Sequence, residues 1–256
     1  MTIKLLDKTQ LSLLNKRSFN YKLADAEKDY FLAVVLKIIY ESSLKDKIVF
    51  KGGTAIHHCY IPQSRFSEDL DFTSIDKSIS LHEVKTVLES QDFLEVKKDY
   101  VSKATIKIER LKYDGPLGLP NSLKVEIDFI QNVVLPVKHL EYKNVWGIKT
   151  SVSVMDIKEI CAEKIRAMSE RALYRDFYDL CLIFKYFKID LKDIIELIKQ
   201  KEIRKPISKK NILENWRLSQ KEKENKLGMI YYFEKIDDSY IDELLMGINI
   251  DLAGKK

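Results

Sequence analysis

Two carboxylates stand at alternate positions of the run Ser67-Glu68-Asp69-Leu70-Asp71-Phe72. Alternation of charged and apolar residues is a strand pattern. Successive strand side chains point to opposite faces, so Asp69 and Asp71 share one face while Leu70 and Phe72 turn into a core. At the rise of a strand their Cα atoms lie about 6.6 Å apart. Carboxylates so placed repel each other unless a cation sits between them. A hard divalent ion, Mg²⁺ with Mn²⁺ as the alternative, suits carboxylate and phosphate oxygens together. Upstream, the apolar residues 48–50 read as a short strand running into Gly52-Gly53-Thr54. Glycines let backbone N–H groups approach a ligand closely. A helix start offers unpaired N–H donors and the positive end of the dipole, and Thr54 adds a hydroxyl. Together the two motifs predict a place where a nucleoside triphosphate is held against a divalent cation.

Residues 122–130 read as a further strand with carboxylates of its own. There Val125, Ile127 and Phe129 alternate with Lys124, Glu126 and Asp128, so the acidic pair lies on one polar face. Asp128 is preferred because Ile-Asp-Phe echoes Leu-Asp-Phe, and Glu126 is its competitor on the same face. Otherwise Asp128 is simply a solvent-facing residue of an edge strand.

The elements that must position these groups follow from periodicity. Residues 25–42 predict an amphipathic helix, with Phe31, Leu32, Val34, Val35, Ile38 and Ile39 inward and charged residues opposite. A short helix is expected over 78–90, and strands over 93–101 and 103–112. The densest turn signal is Asp114-Gly115-Pro116-Leu117-Gly118-Leu119-Pro120. Near Val154 the character changes. Asp156 with Glu159 reads as a capping-box helix start. Ile157, Ile160, Cys161, Ile165 and Met168 then mark a buried stripe that also carries Lys164. That lysine either snorkels past a core or reaches into a cleft. Further helices are predicted over 172–187, 190–202, 206–222 and 228–248. In the first, Asp176 and Asp179 share a face. The expected architecture is therefore α+β, a mixed-sheet core over residues 1–154 followed by a mostly helical domain over 155–256.

The string Lys51-Gly52-Gly53-Thr54-Ala55 with Asp69-Leu70-Asp71 resembles the signature of the DNA polymerase β-like nucleotidyltransferase superfamily. Adding Arg65-Phe66-Ser67-Glu68 and Phe72, and later Ala162-Glu163-Lys164 and Arg175-Asp176-Phe177-Tyr178-Asp179-Leu180, makes it similar to the AbiEii/MenT toxin family over about residues 45–185. That resemblance implies a nucleotidyltransferase whose core fold is the superfamily's. It implies metal bound by Asp69 and Asp71 with Asp128 completing a second-metal site, and triphosphate held by Gly52, Gly53 and Thr54 with Ser67 near the nucleotide. It also gives Lys164 the neutralisation of phosphate charge and either Asp176 or Asp179 an orienting role. The implied acceptor is RNA, the 3′ end of tRNA, and the implied system is toxin–antitoxin or abortive infection with a separate antitoxin protein. Transfer to a small molecule or to a protein, and a silent nucleotide-binding module, are the alternatives.

Composition agrees with that class. With 45% hydrophobic and 32% charged residues among 256, the chain can bury a sizeable core. The longest apolar run, 31–40, is broken by Lys37 and too short for a bilayer, and the first residues lack a signal-peptide core. Cys59, Cys161 and Cys181 are few and widely spaced, so a cytoplasmic monomer without disulfides is expected. The net charge is only +5, but residues 199–226 carry ten Lys or Arg against four Glu. This stretch, with Lys209, Lys210 and Arg217, is either a solvated helical face or a surface that follows a phosphate backbone. Trp216, Tyr231, Tyr232 and Phe233 are expected in the core rather than as a stacking surface. His57 and His58 read as helix residues without a metal partner.

Overall fold

The computed structural model describes residues 3–226 and 231–254. The chain forms two compact units: Met1–Cys59, Ser67–Ile130 and Val137–Val154 make the first, and Tyr60–Phe66, Gln131–Pro136 and Met155–Lys256 the second.

The first unit is built on a seven-stranded mixed sheet in the order β3-β4-β5-β2-β1-β7-β6. Its elements are α1 (Lys8–Arg17), α2 (Leu23–Tyr40), β1 (Ile48–Lys51), α3 (Gly52–Ala55), β2 (Asp69–Ser74), α4 (Leu81–Leu88), β3 (Leu94–Val101), β4 (Thr105–Tyr113), β5 (Asn121–Asp128), β6 (Lys138–Glu141) and β7 (Ser151–Val154). β1 pairs antiparallel with β2, and β2 pairs parallel with β5. One face of this ladder is apolar: Phe50, Leu70, Phe72, Val125, Ile127 and Ile108 are all buried. α2 covers that face, and it is apolar nearly all round rather than amphipathic. The expected inward residues are buried, but Glu27 and Asp29 are buried as well. A buried polar group needs partners. Glu27 accepts the backbone N–H of Leu117 at 2.8 Å, and Asp29 accepts the indole N–H of Trp146 at 2.8 Å. Burial raises the pKa of Glu27, partly offset by that backbone bond.

The second unit contains α5 (Ile157–Glu170), α6 (Tyr174–Tyr186), α7 (Leu191–Gln200), β8 (Ile207–Ser208), α8 (Lys209–Lys226), α9 (Asp238–Gly247) and β9 (Asp251–Leu252). Asp156 caps α5 as expected, accepting the N–H of Lys158 at 2.9 Å. Glu159 does not close a capping box. It is fully buried, accepts the N–H groups of Val134 and Leu135 at 2.9 and 3.0 Å, and pairs with Lys201 at 2.6 Å. The helix predicted over 228–248 begins at Asp238 instead, capped by Asp237. Residues 231–236 are irregular, with Tyr232 bridged to Arg65, while 228–230 lie outside the described residues. Trp216 is buried and donates to Asp242 at 2.7 Å, whereas Phe233 is 44% exposed.

The buried Glu159–Lys201 pair gives the first prediction. Removing one partner of a buried pair leaves a stranded charge, which destabilises by about 3 kcal/mol. Lys201→Met should therefore lower stability to chemical denaturation by about that amount. The double change Glu159→Gln with Lys201→Met should lose less than the lysine change alone. Additive losses would show that the two charges do not support each other.

Candidate active site

The polar face of the sheet is organised in rows across the strands. Partners in a ladder share a face, so register decides which side chains meet. Asp71 on β2 is in register with Lys51 on β1 and with Glu126 on β5, and Glu126 is in register with Lys107 on β4. The row thus reads cation, carboxylate, carboxylate, cation. Asp69 is in register with Lys124. Asp128 lies one step further along β5, in register with Thr73 and Thr105. Leu70 and Phe72, both fully buried, hold β2 the right way round.

Asp69 and Asp71 line one cleft of about 540 Å³ together with Glu126. Asp128, the third expected carboxylate, is not among the residues lining that cleft, and the residue in register with Asp71 is Glu126. Asp128 is already engaged: one oxygen accepts the N–H of Ile130 at 2.7 Å and the other meets Lys51 Nζ at 3.3 Å. Glu126 pairs with Lys107 at 3.0 Å, and both side chains are 39% exposed. Lys51, buried at the end of β1, is a cation of this site to which sequence reasoning assigned no role. Its signal was its place immediately before Gly52-Gly53.

Gly52 has φ +80, a left-handed conformation that favours glycine, and a Cβ there would fall 2.6 Å from Asp71 Oδ2. The glycine is thus required both by its backbone and by the close approach of a site carboxylate. Gly53 and Thr54 follow in the single turn of α3, which continues as a π-helical turn over Ile56–Tyr60. Thr54 is buried and its hydroxyl faces inward. It donates to the Asp69 carbonyl at 2.6 Å and forms a second hydrogen bond, 2.9 Å, with Ser67 Oγ. These bonds pin the start of β2 to the Gly-Gly turn, which makes Thr54 and Ser67 positioning groups in this geometry. His57 and His58 are buried, as helix residues should be. His58 stacks on Tyr142 with centroids 4.4 Å apart and bonds the Lys143 carbonyl. Burial lowers its pKa despite the nearby Asp29.

The remaining predicted residues lie together in the second unit. Lys164 Nζ meets Asp176 at 2.8 Å and Asp179 at 2.7 Å, so its ammonium is held in a buried charge cluster rather than snorkelling to solvent. Arg65 grips Asp179 through two bonds of 2.7 Å, and Arg171 meets Asp176 at 2.8 Å. Both aspartates are fully buried. Burial raises the pKa of Asp176, but Lys164 and Arg171 outweigh it and hold the carboxyl at about 2. Burial likewise acts to lower Arg65, and Asp179 overcomes it, so the guanidinium stays charged. Arg65 lies inside the Arg-Phe-Ser-Glu string, yet only tertiary contact reveals its partner.

A hard divalent cation fits the donor chemistry of Asp69 and Asp71. Mg²⁺ is usually held by one or two carboxylates plus substrate phosphates rather than by an all-protein cage. Among the described residues no group of three or more His, Cys, Asp or Glu converges as such a cage. Nor is any helix among them long and apolar enough to cross a membrane.

Residues 34–243 match the family model described as nucleotidyl transferase AbiEii toxin, type IV toxin–antitoxin system. Among solved structures the fold is similar to MenT4, a nucleotidyltransferase toxin from Mycobacterium tuberculosis. The two share 22% identity and a TM-score of 0.61, over 73% of this chain and 68% of that one. No significant match is found among curated proteins.

Two predictions follow from the site geometry. Gly52→Ala must adopt a left-handed backbone, worth roughly 1–3 kcal/mol, and push Asp71 away. The melting temperature should fall by roughly 2–12 °C, and Mg²⁺–NTP should no longer raise it. A retained nucleotide shift would separate Gly52 from the site. The second prediction concerns acid. Asp176 has a folded pKa below its ordinary 3.8, so its contribution is present above about pH 4 and is lost as pH falls toward about 2. Stability measured across that window should drop by on the order of 2 kcal/mol, and Asp176→Asn should flatten this part of the profile. An unchanged slope would remove Asp176 from the charge cluster's stabilising role.

Proposed function

The chain belongs to the AbiEii family of nucleotidyltransferase toxins of type IV toxin–antitoxin systems, and from that premise we propose that it transfers a nucleotide from an NTP to RNA. The acceptor assigned is the 3′ end of tRNA. The observation that carries this reading is the row Lys51–Asp71–Glu126–Lys107, with Asp69 beside it and Gly52 packed against Asp71. It offers two carboxylates for a divalent cation, a backbone turn open to phosphate, and a third carboxylate within the same row.

In the reaction the terminal 3′-hydroxyl oxygen bonds to the α-phosphorus of the NTP. The bond from that phosphorus to the β-phosphate oxygen breaks, and pyrophosphate leaves. Asp69 and Asp71 would hold the cation, and Thr54 and Ser67 fix the start of β2 that presents them. Mg²⁺ or Mn²⁺ bound there would neutralise charge on the transferring phosphoryl group. Glu126 is assigned as acceptor of the hydroxyl proton, because it stands in register with Asp71 and is partly exposed. Asp128, held by Lys51 and by the Ile130 N–H, is assigned to positioning Lys51. Lys164 retains the phosphate-neutralising role given by family resemblance. Its pairing with Asp176 and Asp179 supports a fixed, charged ammonium. A cytoplasmic monomer fits an NTP- and tRNA-dependent reaction, and the family's system supplies a separate antitoxin protein as the neutralising partner.

Incubation of the protein with each α-labelled NTP, Mg²⁺ and total tRNA tests this directly. One NTP should label tRNA, and chelation of the cation should stop it. Label on the protein itself or on a small molecule instead would overturn the RNA acceptor, and no label with any NTP would overturn transfer. Asp69→Asn and Asp71→Asn should abolish labelling with the fold intact. Glu126→Gln should lower turnover by about 100-fold or more, as loss of a general base does, and Asp128→Asn should lower it less. The reverse order would return the third role to Asp128.

A further inference from the structure

The second row of the polar face carries an arrangement that nucleotide binding does not use. Along β4, Ile108 pairs with Val125 and Leu111 with Leu123, so Glu109 and Arg110 stand together opposite the single residue Lys124. This is a β-bulge. Ile108 and Leu111 on either side of it are fully buried, while Arg110 is exposed. Bulges re-aim side chains and occur beside active sites. Arg110 is also in register with Lys98 on β3. Crossing the sheet outward from Asp69, the row therefore passes Lys124, then Arg110 with Glu109, then Lys98. All of them line the same 540 Å³ cleft as Asp69 and Asp71.

The cations of this row are not equally available. Lys98 pairs with Glu109. Lys124 and Arg110 are exposed, and among the described residues their side chains make no hydrogen bond or ion pair. An arginine guanidinium and a lysine ammonium next to each other suit phosphate, the first bidentately and the second as a point charge. The position of the row says which phosphate. Gly52, against which a triphosphate is proposed to lie, adjoins Asp71 from the β1 side; Lys124 adjoins Asp69 from the opposite, β5 side. From β2 to β3 the row crosses three strand spacings, about 14 Å. Nucleotides in a duplex advance by about 3.4 Å per strand, so the row extends beyond a single nucleotide.

We propose that Lys124 and the bulge-borne Arg110 bind the backbone phosphates of the polynucleotide acceptor, holding its 3′ end over Asp69 and Asp71. The proposal rests on the RNA-acceptor reading above and deepens it. It also moves the phosphate-tracking surface away from residues 199–226. There Lys201 is buried, Lys209 donates to the Met246 carbonyl at 2.7 Å, and Lys223 pairs with Asp238 at 2.8 Å.

The test is the salt dependence of binding to a labelled single-stranded oligoribonucleotide of mixed sequence, measured without NTP. Each lost phosphate contact on a single strand should reduce the slope of log affinity against log salt by about 0.7. Lys124→Gln and Arg110→Gln together should therefore flatten the slope by about 1.4, and weaken binding roughly 25-fold at 0.1 M salt. Each single change should give about half that change in slope. The rise in melting temperature on adding Mg²⁺–NTP should survive in all three variants. Lys210→Glu with Arg217→Glu on α8 should leave oligonucleotide affinity unchanged. Unchanged slope in the Lys124 and Arg110 variants would overturn the proposal. So would loss of the Mg²⁺–NTP shift, because the cations would then serve the nucleotide, and so would absence of oligonucleotide binding by the unmodified protein. Failure of the transferase reading looks different: oligonucleotide binding through this row would persist while no NTP labels any RNA.

Discussion

The parallel pairing of β2 with β5 fixes the candidate site, because strand side chains alternate between faces with a period of two. Asp69 and Asp71 meet Lys124 and Glu126 only in the register that buries Leu70, Phe72, Val125 and Ile127. A slip of one residue would carry both aspartates into the apolar layer beneath α2 and expose two large hydrophobic side chains. The desolvation penalty for one buried carboxylate is several kcal/mol, and full burial of Leu or Phe is worth about 1.5–3 kcal/mol each. Both effects act in the same direction, so the apolar half of the strand specifies where the acidic half goes. Thr54 reinforces the register from outside the ladder by donating to the Asp69 carbonyl.

The two units handle charge in opposite ways. In the second unit Asp176 and Asp179 are fully buried and each meets two cations, Lys164 with Arg171 and Lys164 with Arg65. Such a network repays its desolvation only through close, multiple contacts, and it tolerates a single geometry. On the sheet of the first unit, charges of both signs lie along open rows, and the partly exposed pairs among them, such as Glu126 with Lys107, are worth little. Rigidity there comes from the hydrophobic ladder behind the row rather than from the ion pairs in front of it.

What could be read from the sequence was whatever local alternation encodes. The Asp69-Leu70-Asp71-Phe72 pattern, the polar face of residues 122–130 and the start of α5 at Asp156 all follow from neighbours in the chain. The amphipathic reading of α2 failed at Glu27 and Asp29, whose partners Leu117 and Trp146 come from distant segments. Glu159 looked like half of a capping box because its spacing fits one, and Lys201 and the 134–135 backbone drew it elsewhere. Which of Glu126 and Asp128 stands opposite Asp71 was likewise invisible. Both lie on the same face, and the register with β2 puts Glu126 there. The bulge at Glu109–Arg110 breaks no sequence rule and shows itself only against its neighbour β5. Strands β6 and β7, four residues each, are too short for alternation to register.

The near balance of charge in the first row bears on how the site can select its ligands. Asp71 and Glu126 are flanked by Lys51 and Lys107, so the row has two carboxylates and two cations. A divalent cation arriving alone meets carboxylates already partly neutralised, and a polyphosphate arriving alone meets carboxylates that repel it. On the proposed reading the two would suit the site together, the cation offsetting the charge of both carboxylates and phosphates. A cage of three or more protein ligands would retain the ion without substrate. On the proposed reading, two carboxylates, Asp69 and Asp71, would make retention of the ion depend on the nucleotide, so that metal and nucleotide affinity would rise together.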